Sequence, residues 1–182
     1  LRLGRAEAQV TIVGRHEGRL TDALERLRRE GCASVTGEIC DVSDAKQVRS
    51  LASRLGRVDV LVHNAGDMVH NLTYTADGVE QITATHLVGP YILTQQLRSN
   101  RQLDGKQGAR VIFVSSGGMY TQPLKVSELF EFDGAYDGVA HYAKTKRGQV
   151  ALAACLDQDA QAGDGVRFAA MHPGWADTPA LR

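Results

Sequence analysis

The feature that most constrains the fold is an alternation of short apolar runs with longer amphipathic stretches along the 182-residue chain. The apolar runs cover residues 9–13, 34–39, 58–62, 111–114 and 167–171. Between them, apolar residues recur at helical spacing with charged residues on the opposite face. Short apolar strands that alternate with amphipathic helices are typical of a parallel sheet covered on both faces. The sequence therefore predicts an α/β fold with a doubly wound parallel sheet, as one domain over residues 1–182.

The charge balance and the cysteines exclude several classes of function. Lys and Arg number 21, as do Asp and Glu, so the formal net charge is zero and we expect no electrostatic binding to nucleic acid. No apolar run approaches the length needed to cross a bilayer. Cys32, Cys40 and Cys155 have neither CxxC nor metal-ligand spacing. We therefore expect buried free thiols, a cytoplasmic protein, no membrane span and no metal site.

Local signals predict the helix ends and the edge of the sheet that binds ligands. Ser43 or Asp44 caps the second helix. A long helix is predicted from about Asp77 to Ser99, with a kink near Gly89-Pro90. Ligands of parallel sheets bind beyond the carboxyl ends of the strands. The residues that follow the predicted strands, and therefore face this edge, are Arg15, Asp41, Asn64, Ser116 and Pro173.

Tyr142 and Lys146 lie four residues apart in a predicted helix, so both side chains project from one face. A phenol alone is a poor acid or base at neutral pH, because its pKa is about 10. A nearby ammonium favours the phenolate and lowers that pKa, so such a tyrosine can exchange a proton with a carbonyl or hydroxyl oxygen. The alternative is a solvated helix face on which the pair arose by chance.

Five segments at the ends of predicted strands or on this helix carry a resemblance to a known family. They are Cys40-Asp41-Val42, His63-Asn64-Ala65-Gly66, Val114-Ser115-Ser116-Gly117-Gly118, residues 142–146 and residues 172–178. Over nearly all of its length the chain resembles the short-chain dehydrogenase/reductase family. The resemblance implies a Rossmann-type fold and a nicotinamide-dependent oxidoreductase that interconverts a carbonyl and an alcohol in a small-molecule substrate. It also implies dimers or tetramers.

The resemblance implies a role for each matching residue. Tyr142 becomes the general acid/base, Lys146 lowers its pKa and bonds the nicotinamide ribose, and Ser116 holds the substrate oxygen. Cofactor contacts are implied for Asp41, Val42, Asn64, Ala65, Gly66, Tyr142, Lys146, Pro173, Gly174 and Thr178. Simpler alternatives are a turn glycine at Gly66 and a helix cap at Asp41.

Arg15 bears on the choice of cofactor. Proteins that prefer NAD carry an acidic residue after the corresponding strand, where it bonds the ribose 2′-hydroxyl. Here Gly14 occupies that position and Arg15 follows it. A guanidinium matches a 2′-phosphate in charge and in geometry, so we expect a preference for NADP(H), with NAD as the alternative. The competing interpretation is an exposed arginine at a helix start, because most arginines are solvated.

The sequence also departs from the family. The family's first strand with its glycine-rich turn and the C-terminal strand have no counterpart, which predicts a fragment whose strands at Val10 and Val58 lack their shared neighbour. His86 stands where the family has an Asn that relays protons. Either the relay runs through His86, or catalysis is impaired, or the ring is only packing.

These departures leave other functions open. A catalytically silent relative that binds a nucleotide or a partner is the main alternative, and an epimerase or dehydratase with the same Tyr/Lys chemistry is another. The segment 122–137 carries the apolar residues Leu129, Phe130, Phe132 and Tyr136. An apolar wall of this kind favours a lipid-like, retinoid-like or steroid-like substrate.

Overall fold

The structure is a computed structural model that describes residues 7–132, 134–161 and 163–174. The chain divides into two compact units, Leu1–Val42 and Ser43–Arg182. All described strand pairs are parallel and alternate with helices, which confirms the predicted α/β class. One domain over the whole chain stays a prediction.

The first unit is a strand–helix–strand motif. Strand β1 (Val10–Gly14) pairs in parallel with β2 (Val35–Ile39), and helix α1 (Glu17–Arg29) connects them. Helix α1 packs closely on β2 because Gly37 lacks a side chain: a Cβ there would lie 2.9 Å from Leu24 Cδ1. The small residue therefore sets the spacing between helix and sheet.

The second unit contains a three-stranded parallel sheet in the order β3-β4-β5. Its strands are β3 (Val60–His63), β4 (Arg110–Val114) and β5 (Arg167–Met171). Helix α2 (Ala45–Arg54) precedes β3, and helix α5 (Gly138–Gln161) packs on both β4 and β5. The central strand β4 is the most deeply buried, since Val111 and Phe113 are fully inaccessible to solvent. It is the middle strand of the sheet in this unit.

The long helix predicted from Asp77 begins later than expected. Residues 75–78 form a turn in which Gly78 has φ +75°, a conformation that favours glycine. Glu80 then caps the three-residue helix α3 (Gln81–Thr83) by accepting hydrogen bonds from the N–H groups of Ile82 and Thr83. The prediction was wrong by four residues because the Asp77-Gly78 pair makes a turn, not a first helical turn.

The irregularity predicted at Gly89-Pro90 is a π-helical turn, Ala84–Val88, which precedes helix α4 (Gly89–Ser99). Pro90 has no N–H, so it cannot donate the α-helical bond to the His86 carbonyl. Gly89 N–H bonds the Ala84 carbonyl five residues back, and Gln149 Nε2 donates to the His86 carbonyl at 3.1 Å. Tertiary contact thus supplies the donor that proline removes.

The apolar residues of the sheet edges are partly exposed. In β1, Val13 is 40% exposed, and in β3, Val60 and Val62 are 48% and 45% exposed. Each of these strands has one hydrogen-bonded neighbour among the described strands. That the two strands lack a shared neighbour stays a prediction.

Two expectations from composition can be compared with the described residues. Cys32 and Cys40 are buried, whereas Cys155 is exposed on α5, so burial was predicted correctly for two of the three. In the ranges that the structure describes, no helix combines the length and the hydropathy that a membrane crossing requires.

Candidate active site

Tyr142 and Lys146 lie on helix α5, one turn apart, as predicted. The Lys146 side chain is buried and its Nζ donates a hydrogen bond to the Val114 carbonyl at the end of β4, at 2.9 Å. Nζ also lies 5.5 Å from the centre of the half-buried Tyr142 ring. The lysine is therefore held against both the sheet and the phenol, and it is not part of a solvated helix face.

Burial changes the acid–base behaviour of this lysine. Removal from water disfavours the ammonium, which lowers the pKa of Lys146 from 10.5 to about 8. At neutral pH the side chain is still mostly protonated. It loses its charge within the range in which enzymes operate.

Two serines follow β4 and have different surroundings. Ser115 is buried, and its Oγ donates to the Lys146 carbonyl at 2.7 Å, which ties the end of β4 to α5. Ser116 is half-buried, and its Oγ accepts a hydrogen bond from Gly118 N–H at 3.2 Å. Ser115 thus has a structural bond to the helix, while Ser116 opens the 3₁₀ turn Gly117–Thr121 beside it.

The turn after β3 is open to solvent and packs close to the lysine. Asn64, Ala65 and Gly66 are all exposed. A Cβ at Gly66 would lie 3.0 Å from His86 Nε2 and 3.5 Å from Lys146 Nζ. The missing side chain leaves a cradle of backbone above two polar nitrogens. Exposed backbone without a side chain at Gly66 permits the close approach of a ligand, so this turn suits the predicted nicotinamide nucleotide.

His86 lies in the π-helical turn and is completely buried. Its Nδ1 bonds Thr145 Oγ1 at 2.8 Å, and Asp67 N–H donates to its Nε2 at 3.3 Å. The ring also meets the Tyr142 ring edge-on, with centroids 5.4 Å apart. Burial, followed by the nearby charges of Lys146 and His141, holds the pKa of His86 well below 6.5. The sequence placed His86 at the site but gave none of these partners.

The predicted cofactor residues of the first unit lie at one end of its sheet. Arg15 is exposed immediately after β1, and Asp41 and Val42 follow β2. Because the two strands are parallel and Cys40 N–H continues the ladder to the Gly14 carbonyl, their carboxyl ends are neighbours. The alternative role of Asp41 as a helix cap is not observed, since Asp44 caps α2.

The residues predicted to close the site follow β5. Pro173 and Gly174 are exposed, and Gly174 has φ +83° with its N–H bonded to His172 Nδ1 at 3.1 Å. Thr178 lies outside the described residues. The end of β5 is near the serines, because a Cβ at Gly117 would lie 3.9 Å from His172 Cε1.

A second buried polar cluster beside Tyr142 was missed. Glu80 accepts hydrogen bonds from Tyr136 Oη at 2.9 Å and from His141 Nε2 at 2.8 Å, in addition to the two backbone groups it caps. His141 Nε2 also lies 2.8 Å from Thr83 Oγ1. The sequence signal that points to Glu80 is an acidic residue just before an apolar helix, which is typical of a cap.

Similarity to known proteins identifies the family of the chain. A family model described as short chain dehydrogenase matches residues 1–182. The chain belongs to the short-chain dehydrogenase/reductase family. This membership confirms the Rossmann-type fold and the resemblance predicted from the five segments.

Individual relatives give the extent of the similarity. Human dehydrogenase/reductase SDR family member 12 is 37% identical over 186 residues, which cover 100% of this chain and 57% of the relative. An uncharacterised Mycobacterium paratuberculosis protein superimposes with a TM-score of 0.80 at 27% identity, over 96% of this chain and 62% of that one. An actinorhodin polyketide ketoreductase variant solved with NADPH gives 0.72 at 28% identity, over 98% and 65%. The chain thus spans a little over half the length of this curated relative.

Proposed function

We propose that this chain contributes the catalytic residues of an NADP(H)-dependent interconversion of a carbonyl and an alcohol. The observation that carries the proposal is the buried Lys146 ammonium, bonded to the end of β4 and 5.5 Å from the Tyr142 ring centre. This contact places a cation beside the phenol that is proposed to exchange the proton. The membership of an oxidoreductase family supports the same chemistry.

Each residue has one task in the proposed reaction. A bound nicotinamide nucleotide supplies the hydride. Tyr142 gives its phenolic proton to the carbonyl oxygen as that oxygen gains negative charge, and Ser116 donates a hydrogen bond to the same oxygen. Lys146 stabilises the phenolate that remains. The oxidation of an alcohol uses the same groups in reverse.

The nucleotide is proposed to bind along the carboxyl ends of the strands. In the second unit the exposed turn of Asn64, Ala65 and Gly66 offers backbone for close approach, with Lys146 below it. Asp41 and Val42 in the first unit, and Pro173, Gly174 and Thr178 after β5, are the remaining contacts proposed from the family pattern. Arg15 is the residue proposed to hold a 2′-phosphate, because its guanidinium is exposed just beyond β1.

An apolar substrate is proposed from the segment 122–137. Of the predicted wall residues, Phe130 is 49% exposed whereas Leu129 is buried; Val126 in the same segment is 64% exposed, so the segment presents some apolar surface to solvent. Burial of such surface against a ligand is favourable by about 25 cal/mol per Å². We therefore expect higher kcat/KM for bulky apolar ketones than for short polar sugars.

The central test is the substitution Tyr142→Phe, assayed with NADPH and a panel of aldehydes and ketones by the loss of nicotinamide absorbance. Loss of the general acid is expected to lower kcat about a hundred- to ten-thousand-fold. Tyr91→Phe is the matched control, since Tyr91 lies on α4 and is 45% exposed. Unchanged activity in Tyr142→Phe would refute the mechanism, whereas a wild type that reduces no compound of the panel would favour a silent nucleotide- or partner-binding protein.

Cofactor preference has its own test. Arg15→Asp replaces the proposed phosphate ligand by a carboxylate, which repels a 2′-phosphate and suits a ribose hydroxyl. We expect the dissociation constant for NADPH to rise and that for NADH to stay similar or fall. Arg26→Asp, at an exposed position on α1, is the control. The same preference in wild type and Arg15→Asp would remove Arg15 from the site.

A further inference from the structure

The ring of His86 joins three parts of the proposed site. One nitrogen, Nε2, takes the N–H of Asp67, which directly follows the turn of Asn64, Ala65 and Gly66. The other, Nδ1, bonds Thr145 on α5, which lies between Tyr142 and Lys146. The histidine therefore spans the space between the proposed cofactor turn and the helix that carries the catalytic residues.

The partners of the ring determine its tautomer. A backbone N–H can only donate, so Nε2 must accept from Asp67 with its lone pair. The proton of the neutral ring therefore resides on Nδ1 and is donated to Thr145 Oγ1. Thr145 Oγ1 in turn donates to the Tyr142 carbonyl at 2.8 Å. Every donor in this chain of bonds meets an acceptor.

The surroundings of His86 oppose a positive charge on the ring. The side chain is fully buried, and Lys146 and His141 are the neighbours that act electrostatically on it. Uptake of a proton at Nε2 would also break the bond with Asp67, because both groups would then be donors. A ring in this position is poorly suited to relay protons.

We propose that His86 is a positioning residue: as a neutral ring protonated on Nδ1, it fixes the turn at Gly66 and Asp67 to helix α5. This inference rests on the proposed function for its significance, because it concerns the distance between the cofactor turn and Tyr142. Gly66 permits this close packing, since a Cβ at that position would lie 3.0 Å from Nε2. His86 thus connects the turn to helix α5 and does not relay protons.

The tautomer is tested by ¹⁵N NMR of the histidine ring nitrogens between about pH 5.5 and 8.5. We expect Nδ1 of His86 to show the shift of a protonated nitrogen and Nε2 that of an unprotonated one, both constant over this range. His63, buried and bonded to Thr94 at 2.9 Å, is the internal reference for a ring whose pKa burial lowers to about 3. A ring protonated on Nε2, or a titration within the range, would overturn the proposal.

The connection itself is tested by amide hydrogen exchange at Asp67. In His86→Leu this N–H loses its acceptor, and we expect its exchange to become roughly tenfold faster. His86→Gln, whose carboxamide oxygen can take the place of Nε2, is expected to restore most of the protection. Thr94→Val is the matched control, since it removes a buried hydrogen bond to His63 and leaves Asp67 untouched. Unchanged exchange at Asp67 in His86→Leu would refute the connection.

Neither measurement depends on turnover. If the protein reduces no carbonyl compound, the proposed function fails while the tautomer and the exchange rates still decide the role of His86. If turnover is found and the ring titrates, the function stands and the positioning role fails.

Discussion

His86 and His141 are both buried close to Tyr142, yet their rings have different partners. His86 is bonded to a backbone N–H and a threonine hydroxyl, whereas His141 is bonded to the Glu80 carboxylate and to Thr83. Lys146 is an electrostatic neighbour of His86, where a second cation would be repelled. His86, which lies beside the lysine, therefore has neutral partners, whereas His141 is bonded to a carboxylate.

Glu80 shows why the His141 cluster tolerates a buried charge. Burial by itself raises the pKa of Glu80, but the hydrogen bonds from His141, from the N–H groups of Ile82 and Thr83 and from Tyr136 outweigh it and lower this pKa to about 2. The pKa of the Tyr136 phenol is raised by its own burial and by the Glu80 carboxylate to which it donates. Four donors thus keep one buried carboxylate ionised.

The largest expected effect comes from removing the carboxylate of the His141 cluster. Glu80→Ala leaves His141, Tyr136 and two helix N–H groups without their acceptor, so we expect the free energy of unfolding to fall by about 3–5 kcal/mol. Chemical denaturation measures this loss. Glu128→Ala is the control, because Glu128 pairs with Lys125 and Lys144 near the surface and should matter far less. Equal losses in the two variants would show that the His141 cluster contributes no more to stability than a surface ion pair.

The neutral state of His86 has a pH signature. Its folded pKa lies well below 6.5, so below pH 6.5 the unfolded chain binds a proton that the folded chain does not, and stability falls as the pH is lowered. His63, whose pKa burial lowers to about 3, acts in the same direction. We expect His86→Leu to lose less stability than wild type when the pH is lowered from 7.5 to about 4.5.

Unfolding curves at several pH values measure this difference. Glu80 affects stability at a lower pH than His86 does. Its carboxylate stabilises the fold above about pH 4.5, and this stabilisation is lost as the pH falls towards 2. Parallel pH profiles for wild type and His86→Leu down to pH 4.5 would contradict a neutral, buried His86.

The burial of Lys146 has a smaller effect on stability, and this effect occurs at alkaline pH. Its folded pKa of about 8 is below the ordinary 10.5, so between these values the unfolded chain binds the extra proton and stability rises with pH. Wild type should therefore gain about 2 kcal/mol over Lys146→Met between pH 8 and 10. A constant difference between the two proteins would mean that the ammonium is not desolvated.

The smallest effect is expected at Gln149, which supports the backbone of His86. Its Nε2 donates to the His86 carbonyl, but its buried Oε1 has no partner among the described residues. The loss of one hydrogen bond and the removal of one unsatisfied acceptor oppose each other, so Gln149→Met should change stability by less than about 1 kcal/mol. A large loss would show that the π-helical turn depends on this bond.

Local sequence patterns determined the strands, the helix faces and most residues of the candidate site. The run at residues 167–171 was predicted with its observed bounds, and Tyr142 and Lys146 face one side of α5, because periodicity and turn residues act over a few neighbouring positions. The identity of the residues after each strand follows equally from the order of the chain. These features depend on no distant contact.

Only the tertiary structure decided the start of α3, the π-helical turn and the two histidine clusters. Thr145 is 59 residues from His86 in sequence, and His141 is 61 from Glu80. Such pairs meet only when α5 packs on the sheet, on α3 and on the π-helical turn, and their protonation depends on the burial that this packing creates. A histidine in a sequence can donate, accept or carry a charge, and its neighbours in space select which of these it does.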